Sequence, residues 1–133
     1  MSDLPDNNGS EAAVWMERAR TQAATASFLA GRRNWSEACH HLVRMAEMAI
    51  KSVYIDHEVP VPRSHNIYAL LADCPAARIR EQVTKVLDKD KLDEFSSYYI
   101  ALYPEGEDAD QDIYLRFKRM ADLVMRRVEE ALA

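Results

Sequence analysis

Between Trp35 and Val53 the apolar residues are Trp35, Ala38, Leu42, Met45, Ala46, Ala49, Ile50 and Val53, separated almost throughout by three or four positions. That spacing follows the ~3.6-residue turn of an α-helix and puts these side chains on one face. It is the strongest periodic signal in the chain. A helix with so broad an apolar face is stable only when other elements cover it. Asn34 and Glu37 stand three apart as a capping box at its start, and the helix is expected to end near His57. After it, Glu58-Val-Pro-Val-Pro-Arg-Ser reads as a loop, because each proline pushes its predecessor out of the helical region.

The flanking segments repeat the helical pattern. A helix over about 11–30, capped by Ser10 and ended by Gly31, carries Ala12, Trp15, Ala19, Ala23, Ala26 and Ala30 on one side. That seam is mostly alanine, so a neighbouring helix can approach closely. Residues 1–10 read as a disordered tail around Asp-Asn-Asn-Gly. A short helix from Asn66 to Ala72, with Ser64 as its cap, precedes one that starts at Pro75 and reaches Leu87. The run Asp88-Lys-Asp-Lys either interrupts that helix or forms its exposed face. Helix resumes by Leu92 with Phe95, Tyr98, Tyr99 and Leu102, and Pro104 and Gly106 stop it. The last helix, about 109–132, presents Ile113, Phe117, Met120, Val124, Val128 and Ala131. Asp108, Asp110 and Asp112 lie at its start, where the helix dipole favours acids. With no alternating strand pattern and no repeat, the expectation is one all-α domain over 11–133, an up-and-down helical bundle of about five helices.

A chain of 133 residues is long enough to bury a core without disulfides or a metal. Its net charge of -5 opposes broad, nonspecific nucleic-acid binding but leaves room for a local basic patch. Cys39 and Cys74 form no Cys-x-x-Cys pair and read as reduced thiols. The start is acidic and polar, unlike a signal peptide, and no apolar run reaches the ~18 residues of a membrane span, so a cytoplasmic location is expected.

Four stretches in order resemble the HEPN domains, small helical bundles found with minimal nucleotidyltransferases. Trp15 through Gly31 and on to Trp35 is similar to the family's first helix and its glycine-to-aromatic step. The stretch from Ala38 to Lys51 resembles the second helix, with Glu47 and Lys51 in its Glu-x-x-x-Lys positions. Pro62-Arg-Ser-His65, leading to Leu70 and Leu71, resembles the Pro-x-x-His segment, and Tyr99 to Pro104 resembles the Tyr-Pro element before the last helix. The resemblance implies a homodimer, a separate nucleotidyltransferase protein as partner, and a toxin–antitoxin-like setting. The chain departs from it in two places. Leu102 stands where an arginine is common, and the usual place of the ribonuclease branch's Arg/His pair, the start of the last conserved helix, is empty, because no histidine follows His65.

Arg33 and His40, with six residues between them, are the one pair with ribonuclease spacing, and His65 is a further catalytic candidate. The alternative is a loop cation, a surface histidine and a structural loop histidine. His40, Arg44, Glu47 and Lys51 form one polar stripe along the second helix. It is a candidate ligand-binding surface for a nucleotide phosphate, or else a solvated face with one ion pair. Arg116, Lys118, Arg119, Arg126 and Arg127 give the last helix a basic side, interleaved with Asp122, Glu129 and Glu130. Tyr98, Tyr99, Tyr103 and Tyr114 gather near Pro104 as core or interface contacts. No metal site is expected, since adjacent His40 and His41 diverge by ~100° on a helix, and no cofactor is expected without a glycine-rich phosphate loop.

The leading expectation is therefore a non-catalytic HEPN-like binding module of a two-component nucleotidyltransferase system, possessing a nucleotide- or RNA-binding stripe and no membrane association. Phe28 and Leu115 are expected to be exposed and available to a second copy. The alternative is a metal-independent endoribonuclease toxin whose Arg/His pairs meet across a dimer cleft.

Overall fold

The computed structural model describes residues 7–98 and 109–132, and every regular element among them is a helix. In order these are α1 (Asn7–Gly31), α2 (Trp35–Asp56), α3 (Ile67–Ala72), α4 (Ala77–Thr84), α5 (Lys89–Ser97) and α6 (Gln111–Leu132). They form a helical bundle. The described residues hold six helices because Asp88 ends the ambiguity of the 88–91 run. Its carboxylate accepts from the Lys91 backbone N–H at 2.9 Å and starts a new helix after α4 has stopped at Thr84.

Helix α2 is the hub, packing against α1, α3 and α6. Seven of its eight expected core residues are buried, with Trp35 half-buried at the rim. Cys39, Val43, Tyr54 and Ile55 are buried as well, so α2 is covered on nearly all sides. On α1 the seam is Ala12, Met16, Ala19 and Ala26; Met16 takes the buried place expected of Trp15, whose ring stacks outward under Arg18. On α6, Phe117, Met120, Val124 and Val128 are buried as expected, but Ala131 is exposed in the last turn.

The caps differ in detail from those expected. Helix α1 begins at Asn7, ahead of Ser10. Asn34 precedes α2 without any side-chain capping bond, so the capping box does not form. Asn66, not Ser64, caps α3 by accepting from Ala69 N–H at 2.9 Å, while Ser64 Oγ accepts from Asn66 N–H at 3.1 Å. Helix α4 starts at Ala77, two residues past Pro75. Asp110 caps α6, accepting from Ile113 N–H at 2.8 Å.

Buried polar groups tie the short helices to the long ones. Tyr54 Oη donates to Leu70 O at 2.6 Å, and burial pushes this phenol up to about 12. Ser96 Oγ accepts from Ile67 N–H and donates to Leu92 O, both at 2.8 Å, locking α3 onto α5. Ser36 Oγ accepts from Ala109 N–H at 2.8 Å and holds the start of α6 beside the start of α2. Phe95 and Phe117 meet edge to face at 5.1 Å, joining α5 to α6. Both cysteines are buried free thiols, and burial pushes Cys39 up to about 12, which makes it a poor nucleophile. Among the described residues no helix is long and apolar enough to cross a membrane.

Candidate functional site

The polar stripe of α2 divides into two unlike halves. At its lower end, Lys51 Nζ donates to Glu47 Oε2 at 2.7 Å, and both side chains are about nine-tenths buried, with exposures of 9% and 10%. The favourable Glu-to-Lys order at i, i+4 sets this pair, and its burial makes it matter. The chain leading into α3 then brings His65 onto the same carboxylate. Its Nδ1 donates to Glu47 Oε2 at 3.1 Å, and its side chain stays 53% exposed. The other oxygen, Glu47 Oε1, is buried and makes no hydrogen bond among the described residues. This end of the stripe is therefore not a solvated face.

The upper half is more open. His40 and Arg44 are half-buried. The His40 ring packs edge-on against His41, 5.1 Å between centroids. His41 in turn bonds through Nδ1 to the Gln22 side-chain oxygen on α1. Burial, with His40 and Arg44 nearby, depresses the pKa of His41 below its ordinary value, although Glu37 opposes the shift.

Arg33 lies in the three-residue turn between α1 and α2, exposed, with a backbone φ of 60°. Its own N–H donates to Ala30 O at 2.9 Å, and no hydrogen bond joins its side chain to His40 among the described residues. The structure thus brings Glu47, Lys51 and His65 together and does not join Arg33 to His40. The Glu47–His65 contact, spanning 18 positions, carries no local sequence signal.

The basic side of α6 is largely neutralised. Arg116 pairs with Glu94 at 3.3 Å, Lys118 with Asp122 at 2.7 Å, and Arg127 with Glu130 at 2.9 Å. Arg119 and Arg126 are exposed and make no ion pair among the described residues. Tyr114 is buried beside Trp35, and Tyr98 packs edge-on against Phe117. Tyr99, Leu102, Tyr103, Pro104, Gly106 and Asp108 lie outside the described residues. Among the described residues no cluster of three His, Cys, Asp or Glu side chains is placed to hold a metal.

A long α1–α2 hairpin, a histidine in the loop before the short helices, and a closing α6 define a small helical-bundle module organised around a buried α2 that carries one polar stripe. The HEPN domain model matches residues 12–131, nearly the whole chain, and the protein belongs to the HEPN domain family. Its fold is similar to the crystal structure of TT1696 from Thermus thermophilus, with a TM-score of 0.71 and 26% identity over 90% of this chain and 96% of that one. No match is found among curated proteins.

Proposed function

We propose that this HEPN-type protein is a non-catalytic interaction module, a homodimer that pairs with a separate nucleotidyltransferase in a toxin–antitoxin-like system. Nucleotide or RNA contacts fall on the open half of the α2 stripe, His40 and Arg44, with His65 beside it. Glu47 and Lys51 serve that surface as positioning residues, since each already holds the other. The observation that supports the non-catalytic part of this reading is the placement of Arg33: exposed in a turn, its side chain has no hydrogen bond among the described residues to His40, the one histidine at ribonuclease spacing from it, while the dimer and the pairing rest on the family. Three measurements test the proposal: sedimentation, co-purification with a small nucleotidyltransferase, and cleavage of single-stranded RNA in EDTA. The expected result is a dimer that retains the nucleotidyltransferase and leaves the RNA intact. A monomer at high micromolar concentration removes the dimer, and a purified nucleotidyltransferase that does not bind removes the pairing.

One contact favours the alternative of a metal-independent endoribonuclease. A half-exposed imidazole whose Nδ1 is held by a buried carboxylate, as His65 is by Glu47 at 3.1 Å, is arranged as a general acid/base is. An arginine, from Arg44 or a second copy, would have to supply the phosphate contact. RNA cleavage in EDTA that disappears in His65→Ala supports this reading over the first.

A further inference from the structure

The α4–α5 corner and α6 border an open groove of about 360 Å³. Its floor is apolar: Val86, Leu87, Met120 and Leu123. Val86 is 57% exposed and adds to this apolar surface. Along α6, Leu115, Arg119 and Leu123 follow at i, i+4 and i+8 on one line, although Leu115 borders a separate depression that Asp110 and Asp112 also line. Leu115 is itself 42% exposed. That line is about 12 Å long, or roughly two turns of a facing helix.

The rim is cationic. Lys91 and Arg119 border the floor, and neither makes an ion pair among the described residues. Arg116 also borders it, but Glu94 already neutralises that guanidinium at 3.3 Å. Two unneutralised cations stand beside an apolar floor, on a chain whose net charge is -5. The local field therefore opposes that of the chain as a whole, which selects an anionic partner for this face. The floor decides which kind. A nucleic-acid base needs an aromatic platform or hydrogen-bonding groups directed at its edge, and among the described residues the lining contains no aromatic residue and no polar group below the rim.

We infer that this groove docks an acidic amphipathic peptide segment of a partner protein. A bulky apolar side chain of the peptide sits on Val86, Met120 and Leu123, and carboxylates about one helical turn away sit on Lys91 and Arg119. Burying Val86 and Leu123 supplies affinity, and the two cations set orientation and exclude basic segments. Docking at this groove is independent of the α2 stripe and of pairing with a nucleotidyltransferase.

The test is selection of a random peptide library on the intact protein, followed by resynthesis of enriched peptides and titration by fluorescence anisotropy. Val86→Glu and Arg119→Glu alter exposed positions, so both variants are expected to melt like the parent. Enriched peptides should carry a bulky apolar residue with Asp or Glu three or four positions away. Each substitution should weaken binding about tenfold, and a lysine-for-glutamate version of the peptide should regain affinity on Arg119→Glu. The inference is overturned by a library that yields no enrichment, by enriched peptides that are neutral or basic, or by binding that both substitutions leave unchanged. A poly-U oligonucleotide whose binding Arg119→Glu abolishes and Val86→Glu leaves intact also overturns it, by making the rim a phosphate site.

Discussion

Glu47 accepts from two cationic or potentially cationic donors while one of its oxygens makes no bond among the described residues. Burying a carboxylate and an ammonium costs desolvation that their attraction offsets only while both partners are present. Lys51→Met should therefore destabilise the fold by about 3 kcal/mol or more in urea unfolding, because it leaves a buried carboxylate with only His65. The double variant Glu47→Leu with Lys51→Met should recover most of that loss. A Lys51→Met loss below about 1 kcal/mol would mean that water reaches the pair. His41 makes a pH-dependent contribution. Its folded pKa lies below the 6.5 of the unfolded chain, so the unfolded state binds more protons in the interval between the two values. The stability it contributes is complete above pH 6.5 and is lost as pH falls through the folded value. The melting temperature should fall on acidification below pH 6.5, and His41→Gln should make that fall shallower. Equal slopes in both proteins would remove His41 as the cause.

The α1–α2 hairpin shows how an element ends. Gly31 is the residue suited to a left-handed helix stop, yet it remains helical, and Arg33 two positions later takes the left-handed φ of 60°. The turn closes with Arg33 N–H on Ala30 O and Asn34 N–H on Leu29 O, both at 2.9 Å. A side chain at positive φ is strained by roughly 1–2 kcal/mol, part of which glycine returns as backbone entropy on unfolding. Arg33→Gly should thus raise unfolding free energy by up to about 1 kcal/mol. A decrease would show that the arginine side chain contributes a contact that outweighs the strain. The same variant separates strain from chemistry, since a catalytic Arg33 would lose RNA cleavage while gaining stability.

At the scale of the molecule, α1 and α2 close on small residues: Ala19 and Ala26 on α1 and Ala38, Ala46 and Ala49 on α2 are all 0% exposed. Their methyl groups let the two axes approach and fill the space between. Ala19→Leu has nowhere to place three extra carbons and should cost about 1–3 kcal/mol. Ala24→Leu, on the exposed side of the same helix, should change stability by no more than about 0.5 kcal/mol. Similar losses for both would mean that the seam is looser than its burial implies. The interior also sets which surfaces remain outside: Phe28 at 64%, Val86 at 57% and Leu115 at 42% exposure are apolar points left on the surface.

Helix periodicity, prolines and Asx residues are local quantities, and the sequence alone determined what depends on them: an all-α chain, α2 with its periodic apolar face, the proline loop, the 88–91 break as one of two readings, and most of the faces of α2 and α6. Periodicity assigns a face relative to a helix's own axis. It does not say which distant segment covers the opposite face. The tertiary structure alone therefore decided that Glu47 and Lys51 are buried, because the chain before α3 folds back and lays His65 on them. It also decided that Met16 and not Trp15 enters the core, leaving the indole at the edge under Arg18. The groove between the α4–α5 corner and α6 is set in the same way, by packing between segments some thirty residues apart that share no local pattern.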